Sequence, residues 1–185
     1  MFLLCAVFVS AQQKAEADDI TELTFFGVDF SLARVYGADE SGEQFKTAFT
    51  GINNLITKEP KKYDVPKAFP RKNVTVYLQP SLDLIPRIDV SELFTASNNY
   101  RISPEALASQ IRSLDTGDYE GYGAVLVAGL LDKGQGRATY HLVIFNIGTK
   151  EIVSDRVFTE KARGFGLRNY WAHSVYKVLK KAKKK

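Results

Sequence analysis

The sequence holds a single cysteine, Cys5, among 185 residues. One thiol cannot close a disulfide within the chain, and it excludes multi-cysteine zinc and iron–sulfur frameworks. Histidine is nearly as scarce. His141 and His173 are the only two, and neither belongs to a His-x-x-x-His or His-Glu pair at ligand spacing. Walker loops, dinucleotide-binding glycine fingerprints and serine nucleophile elbows are absent, so no cofactor is expected. Long apolar runs are missing too: Phe2–Val9 and Ala124–Leu131 extend for eight residues each, against the roughly 20 that a helix needs to cross a bilayer. Positive charge is not spread along the chain. The net charge is +4, but six lysines fall in the last nine residues, leaving the remainder near −2. A near-neutral domain with a basic end is not the footprint of a nucleic-acid binder.

What is present begins with the apolar run at 2–9, followed by Val9-Ser10-Ala11 and the polar Gln12-Gln13-Lys14. This is the length and form of a signal-peptide core with small residues before a cut after Ala11, although no Lys or Arg precedes it. Leu4 before Cys5 does not suit lipidation. The expectation is an exported product, periplasmic or secreted, that lacks cysteine: a leader over 1–11, a flexible lead-in over 12–21, one domain over 22–182 and a basic tail over 183–185.

Within the domain, Phe26, Val28, Phe30 and Leu32 alternate with Gly27, Asp29 and Ser31, the pattern of a strand with one buried face. Ser41-Gly42-Glu43-Gln44 has the form of a capping box. The following stripe Phe45, Phe49, Ile52 and Ile56 marks an amphipathic helix that ends before Pro60. A Lys/Pro-rich connection leads to a second strand at Val74–Leu78. Residues 81–102 give no clear period beyond a short element at 89–94. Ser103-Pro104-Glu105 opens a helix with a cap, a first-turn proline and an acid, and Leu107, Ile111 and Leu114 form its apolar stripe.

Ala124–Leu131 contains no polar residue and reads as a central strand buried on both faces. Asp132–Gly136 forms a hairpin turn, Arg137–Ile147 the next strand, and Gly148-Thr149-Lys150 a second turn before a strand from Ile152 to Lys161. A last helix starts near Leu167, with Leu167, Trp171, Val175 and Val178 inward and His173, Lys177, Lys180 and Lys184 on the opposite face. The fold class is therefore α/β (α+β). A mixed sheet of about five strands carries packed helices in the order β-α-β, an irregular segment, then α-β-β-β-α.

The glycine-ended strand Tyr122–Gly129, the alternating strand Ala138–Ile144, the Gly-Thr-Lys turn, a further strand and a terminal helix resemble a known arrangement. It is the domain at the N-terminus of TolB and in the curli secretion protein CsgG. In wording the chain is similar to small secreted proteins of Bacteroidetes. The resemblance covers residues 103–180. It implies a non-enzymatic envelope role and transfers no functional residue.

Candidate chemistry is sparse. Asp115-Thr116-Gly117 matches the aspartic-protease tripeptide, but it stands alone and follows a helix, whereas that chemistry needs two carboxylates sharing a proton; a helix-ending turn is expected. Asn73-Val74-Thr75 is a glycosylation pattern placed in a strand. Arg163-Gly164-Phe165-Gly166-Leu167-Arg168 sets glycines and arginines at a helix start, where backbone amides favour anions. Arg163, Gly164, Gly166 and Arg168 are thus a candidate anion site. Lys177, Lys180, Lys181 and Lys184 either complement the helix dipole or adhere to anionic lipid or glycan. The leading expectation is a non-catalytic envelope protein that binds an envelope protein, a glycan or an anionic lipid surface. A small hydrolase using Asp29, Asp83 or Asp89 and a small-ligand carrier are the alternatives. A deep polar cleft joining two carboxylates would mark the hydrolase, an enclosed apolar cavity the carrier, and a flat sheet with no cleft the binding protein.

Overall fold

The computed structural model describes residues 20–69 and 71–183. The expected leader, most of the lead-in, and Lys184 of the candidate adhesion set lie outside the described residues.

Among the described residues, six strands form one mixed sheet: β1 (Glu22–Asp29), β2 (Arg34–Tyr36), β3 (Asn73–Val76), β4 (Tyr122–Asp132), β5 (Arg137–Asn146) and β6 (Ile152–Lys161). The helices are α1 (Gly42–Lys58), α2 (Val65–Ala68), α3 (Gln79–Leu84), α4 (Val90–Leu93), α5 (Pro104–Ser113) and α6 (Leu167–Ala182), with a 3₁₀ turn at Ile85–Arg87. The strand order is β3-β1-β4-β5-β6, and the short β2 also pairs with β4. β1 runs parallel to both β3 and β4, while β4, β5 and β6 form the antiparallel meander. The α/β class holds, with helices on both faces of the sheet.

Local chemistry explains the main elements. Ser41 and Gln44 make the reciprocal capping box at the start of α1, and its stripe Phe45, Phe49, Ile52 and Ile56 is buried. Ser103 caps α5 by accepting from the Ala106 amide at 3.2 Å. β4 occupies the middle of the sheet with Val125, Leu126, Val127 and Leu131 all fully buried. Ala124, Leu126 and Ala128 pack with α1 and α6, as does Leu131 beyond a slip in the pairing with β5, whereas Val125 and Val127 face α5 with Leu107 and Ile111.

Two expectations need correction. β1 is buried on both faces, not one, and Phe26 does not share a side with Val28 and Phe30. The cause is a bulge: the pairing with β4 slips between Phe25 and Val28, and Gly27 has φ +89°. One extra residue reverses the alternation beyond it. The lead-in is not wholly separate from the domain, since Ile20 is buried in the core and the Thr21 carbonyl accepts from the Asn73 amide. In the segment at 81–102 the short element expected at 89–94 is α4, capped by Asp89 accepting from the Ser91 amide at 2.9 Å, and α3 and the 3₁₀ turn precede it.

The bulge is held by side chains from two helices. Asn53 of α1 accepts from the Val28 amide at 2.8 Å and donates Nδ2 to the Val28 carbonyl at 2.9 Å, with no solvent exposure. Ser81 Oγ donates to the Phe26 carbonyl at 2.6 Å. The ladder bonds that the bulge breaks are thus replaced by two side chains, as buried backbone groups require. Only glycine fits at the bulge, because a Cβ on Gly27 would lie 2.6 Å from Asn53 Oδ1.

Candidate functional site

In sheets with parallel neighbours of this order, ligands bind in the crevice outside the carboxyl ends of strands whose crossovers lie on opposite faces. Here that crevice lies between β1 and β4, and the chain fills it. Beyond Phe30 the chain turns into β2, which pairs Arg34, Val35 and Tyr36 with Leu130, Leu131 and Asp132. Asp29, at the end of β1, is 1% exposed. Its oxygens accept from the Ser31 amide at 2.8 Å and from Gln110 Nε2 of α5 at 2.7 Å. Burial pushes its carboxyl above the ordinary value, against the lowering effect of those hydrogen bonds. Such a group braces α5 against β1.

The other carboxylates considered for hydrolysis are engaged locally. Asp83 accepts from Gln79 of the same helix at 2.7 Å, and Asp89 caps α4 through Ser91. Asp115 accepts from the Gly117 amide at 3.0 Å, while Lys150 Nζ donates to Thr116 Oγ1 and to the Leu114 carbonyl. The Asp-Thr-Gly segment is therefore a clamped turn after α5. His141 Nδ1 meets Asp155 across β5 and β6 at 2.9 Å. His173, half-buried on α6, is held below its ordinary pKa by partial burial and then by Lys177, Arg163 and Lys62. Among the described residues no group of three His, Cys, Asp or Glu side chains is placed to hold a metal.

The segment before α6 is the most unusual surface of the molecule. Phe165 is 96% exposed, flanked by Gly164 at φ +137° and Gly166 at φ +76°. The loop is not loosely attached. The Ala162 amide donates to the Gly136 carbonyl at 2.8 Å, the Arg163 amide to the Tyr170 carbonyl at 3.0 Å, and the Tyr170 amide to the Gly166 carbonyl at 3.0 Å. Gly164 must lack a side chain, since a Cβ there would sit 3.0 Å from the Asn169 carbonyl oxygen. A fixed backbone thus presents an aromatic ring whose full burial would contribute about 1.5–3 kcal/mol.

Beside this ring lies an open cleft of about 690 Å³ between α1 and the start of α6, lined by Glu43, Thr47, Gly51, Phe165 and Arg168 among others. Arg168 lies across Gly51, whose Cβ would approach its Cδ to 2.6 Å, and its Nε donates to Asn169 Oδ1 at 3.1 Å. Of the candidate anion-site residues, Gly166 and Arg168 line this cleft; Arg163 and Gly164 are not among its lining residues. Glu43 places a carboxylate in it, partnered with Lys46 at 3.6 Å. The feature that distinguishes the segment is the ring, which a reading focused on its arginines and glycines passes over.

At the other end of α6 the lysines differ among themselves. Lys181 is paired with Glu160 at 2.6 Å, Lys177 is half-buried, and Lys180 is exposed. Lys180 lines a second, smaller cleft with Lys61, Lys62 and Lys67 from the connection after α1.

Compared with protein-family models, curated proteins and solved structures, the chain matches none of them.

Proposed function

We propose that this is a non-catalytic exported protein of the cell envelope that binds a macromolecular partner through the Phe165 loop and the adjoining cleft on α1. The observation that carries the reading is the 96% exposure of Phe165 on a hydrogen-bonded, doubly glycine-flanked loop. Aromatic rings dominate the energetics of protein interfaces, where loss of one such anchor weakens binding by about 2 kcal/mol or more. Export is supported by the leader-like run 2–9, and the envelope setting by the resemblance of residues 103–180 to the TolB and CsgG domain. The carboxylates that a hydrolase would use are each engaged by their own neighbours, and the cleft beside Phe165 is open instead of enclosed.

The test is cross-linking in envelope extract with a photoreactive phenylalanine analogue in place of Phe165, alongside capture by the unmodified protein and by Phe165→Ala. Expected is an envelope component cross-linked from position 165 and captured about thirtyfold less well by Phe165→Ala. Capture that is unchanged by Phe165→Ala, with no cross-link from that position, sinks the reading.

A further inference from the structure

The second cleft, about 280 Å³, is lined by Lys61, Lys62, Lys67, Tyr176, Lys180 and Lys183, together with Asp64. Its lysines come from two stretches far apart in sequence, brought together because Tyr63 packs edge-on against Tyr176 and its hydroxyl donates to the Ala172 carbonyl. Asp64 is committed as the cap of α2, accepting from the Lys67 amide at 3.0 Å. Lys62 is paired with Glu59 at 3.3 Å. Among the described residues, Lys61, Lys67, Lys180 and Lys183 have no carboxylate within ion-pair distance. Like charges gathered in one cleft repel each other unless a counter-charge meets them. Two stems rest on rings, Lys62 Nζ lying 5.0 Å from the Tyr63 centroid and Lys180 Nζ 6.0 Å from that of Tyr176. The positive field extends along the helix, since Lys177, Lys62 and Arg163 all act on His173.

Both clefts lie along the seam between α6 and the α1 stretch of chain, one at each end. Arg168 lines one and Lys180 the other, which sets them about 18 Å apart along α6 at ~1.5 Å per residue. Resting on the binding role proposed above, we infer that the macromolecular partner is an anionic bilayer surface, met along this seam by the lysine cleft at one end and Phe165 at the other. The lysines are exposed and spread over an open cleft, with no buried donor or fixed guanidinium fork that would select a single phosphate. A surface carrying many charges satisfies them together, and an exposed ring at the headgroup boundary adds apolar contact.

Sedimentation with vesicles tests this, using phosphatidylcholine alone and an equal mixture of phosphatidylcholine and phosphatidylglycerol. Each lysine near an anionic surface is expected to contribute about fivefold in affinity. Lys61→Glu/Lys180→Glu is therefore expected to weaken binding to the anionic vesicles by about 25-fold or more. Phe165→Ala should weaken it about tenfold, and Lys161→Glu, placed on β6, should leave it unchanged; circular dichroism verifies that each variant is folded. High salt should release the protein. The inference is overturned if neutral vesicles bind equally well, if Lys61→Glu/Lys180→Glu binds like the unmodified protein, or if millimolar inorganic phosphate alone displaces it, which would mark a free-phosphate site. If no vesicle binds but Phe165→Ala still abolishes partner capture from envelope extract, the bilayer is wrong and the binding role stands. If Phe165→Ala changes neither assay, the binding role itself fails.

Discussion

Replacing Asn53 by alanine is expected to be among the most damaging single substitutions in the domain, although Asn53 touches no candidate site. The side chain is fully buried and makes two hydrogen bonds, both to the backbone of Val28, at 2.8 and 2.9 Å. Alanine leaves a buried amide and a buried carbonyl unmet, each costing about 1–3 kcal/mol. The sum, about 2–6 kcal/mol, is a large part of the stability of an ordinary domain. Taking about 3 kcal/mol, the midpoint of thermal unfolding should fall by roughly 6–12 °C for a chain of this length. Urea unfolding followed by circular dichroism measures the loss, with Asn54→Ala on the same helix as the control. Asn54 is half-exposed, and its replacement should change stability by about 0.5 kcal/mol or less. Gly27→Ala supplies an internal check. Its added Cβ would meet Asn53 Oδ1 at 2.6 Å, so the double variant should be less destabilised than the two single losses added together. If Asn53→Ala falls within about 1 kcal/mol of Asn54→Ala, the bulge does not depend on this side chain and the account of β1 is wrong.

Two further predictions concern buried polar groups. Burial raises the Asp29 pKa in the folded state, so as pH climbs past the ordinary carboxylate value the unfolded chain loses its proton first. Stability should fall through that window and level off once pH exceeds the raised folded value. Asp29→Asn should flatten the decline in urea midpoint that begins above the ordinary carboxylate value; identical slopes for both proteins would contradict the assignment. Tyr140 is fully buried, with its hydroxyl 2.8 Å from Ser174 Oγ, which itself donates to the Trp171 carbonyl at 2.6 Å. Tyr140→Phe should therefore cost about 1 kcal/mol in thermal or urea unfolding, because Ser174 retains one partner; a loss above about 3 kcal/mol would show that the hydroxyl supports more than this one contact.

Much of this architecture is legible along the chain because the deciding signals are local. The capping box at Ser41, the cap and proline at Ser103-Pro104 and the all-apolar Ala124–Leu131 each carry their own physical cause. Gly27 was visible as a glycine in a strand, but the extra residue it accommodates depends on Asn53, which lies 25 positions away. β2 is only three residues long, and pairing with Leu130–Asp132 is what makes it a strand. The candidate surfaces divide in the same way. Lys177, Lys180, Lys181 and Lys184 stand out as a run, yet Lys181 is taken by Glu160 from the neighbouring strand. Lys61, Lys62 and Lys67 read as part of a connection until Tyr63 packs on α6 and turns them toward Lys180.

The placement of these surfaces follows from how the sheet is closed. A sheet with β1 between β3 and β4 offers a ligand crevice at its carboxyl edge, and this chain fills it with β2, Asp29 and Gln110. The face of β5 and β6 turned away from α1 and α6 carries Thr139 against Thr159 and His141 against Asp155, pairs that satisfy one another across the strands. The helical layer carries an aromatic ring in water at one end of α6 and, at the other, Lys61, Lys67 and Lys180 with no ion-pair partner among the described residues. Both features cost the isolated molecule something, the first in exposed apolar surface and the second in mutual repulsion. Neither follows from the packing of the core, because Phe165 touches no core cluster and the lysine cleft is open to solvent. A role in binding explains both at once, since a single partner surface meeting the α1–α6 seam would bury the ring and neutralise the lysines together.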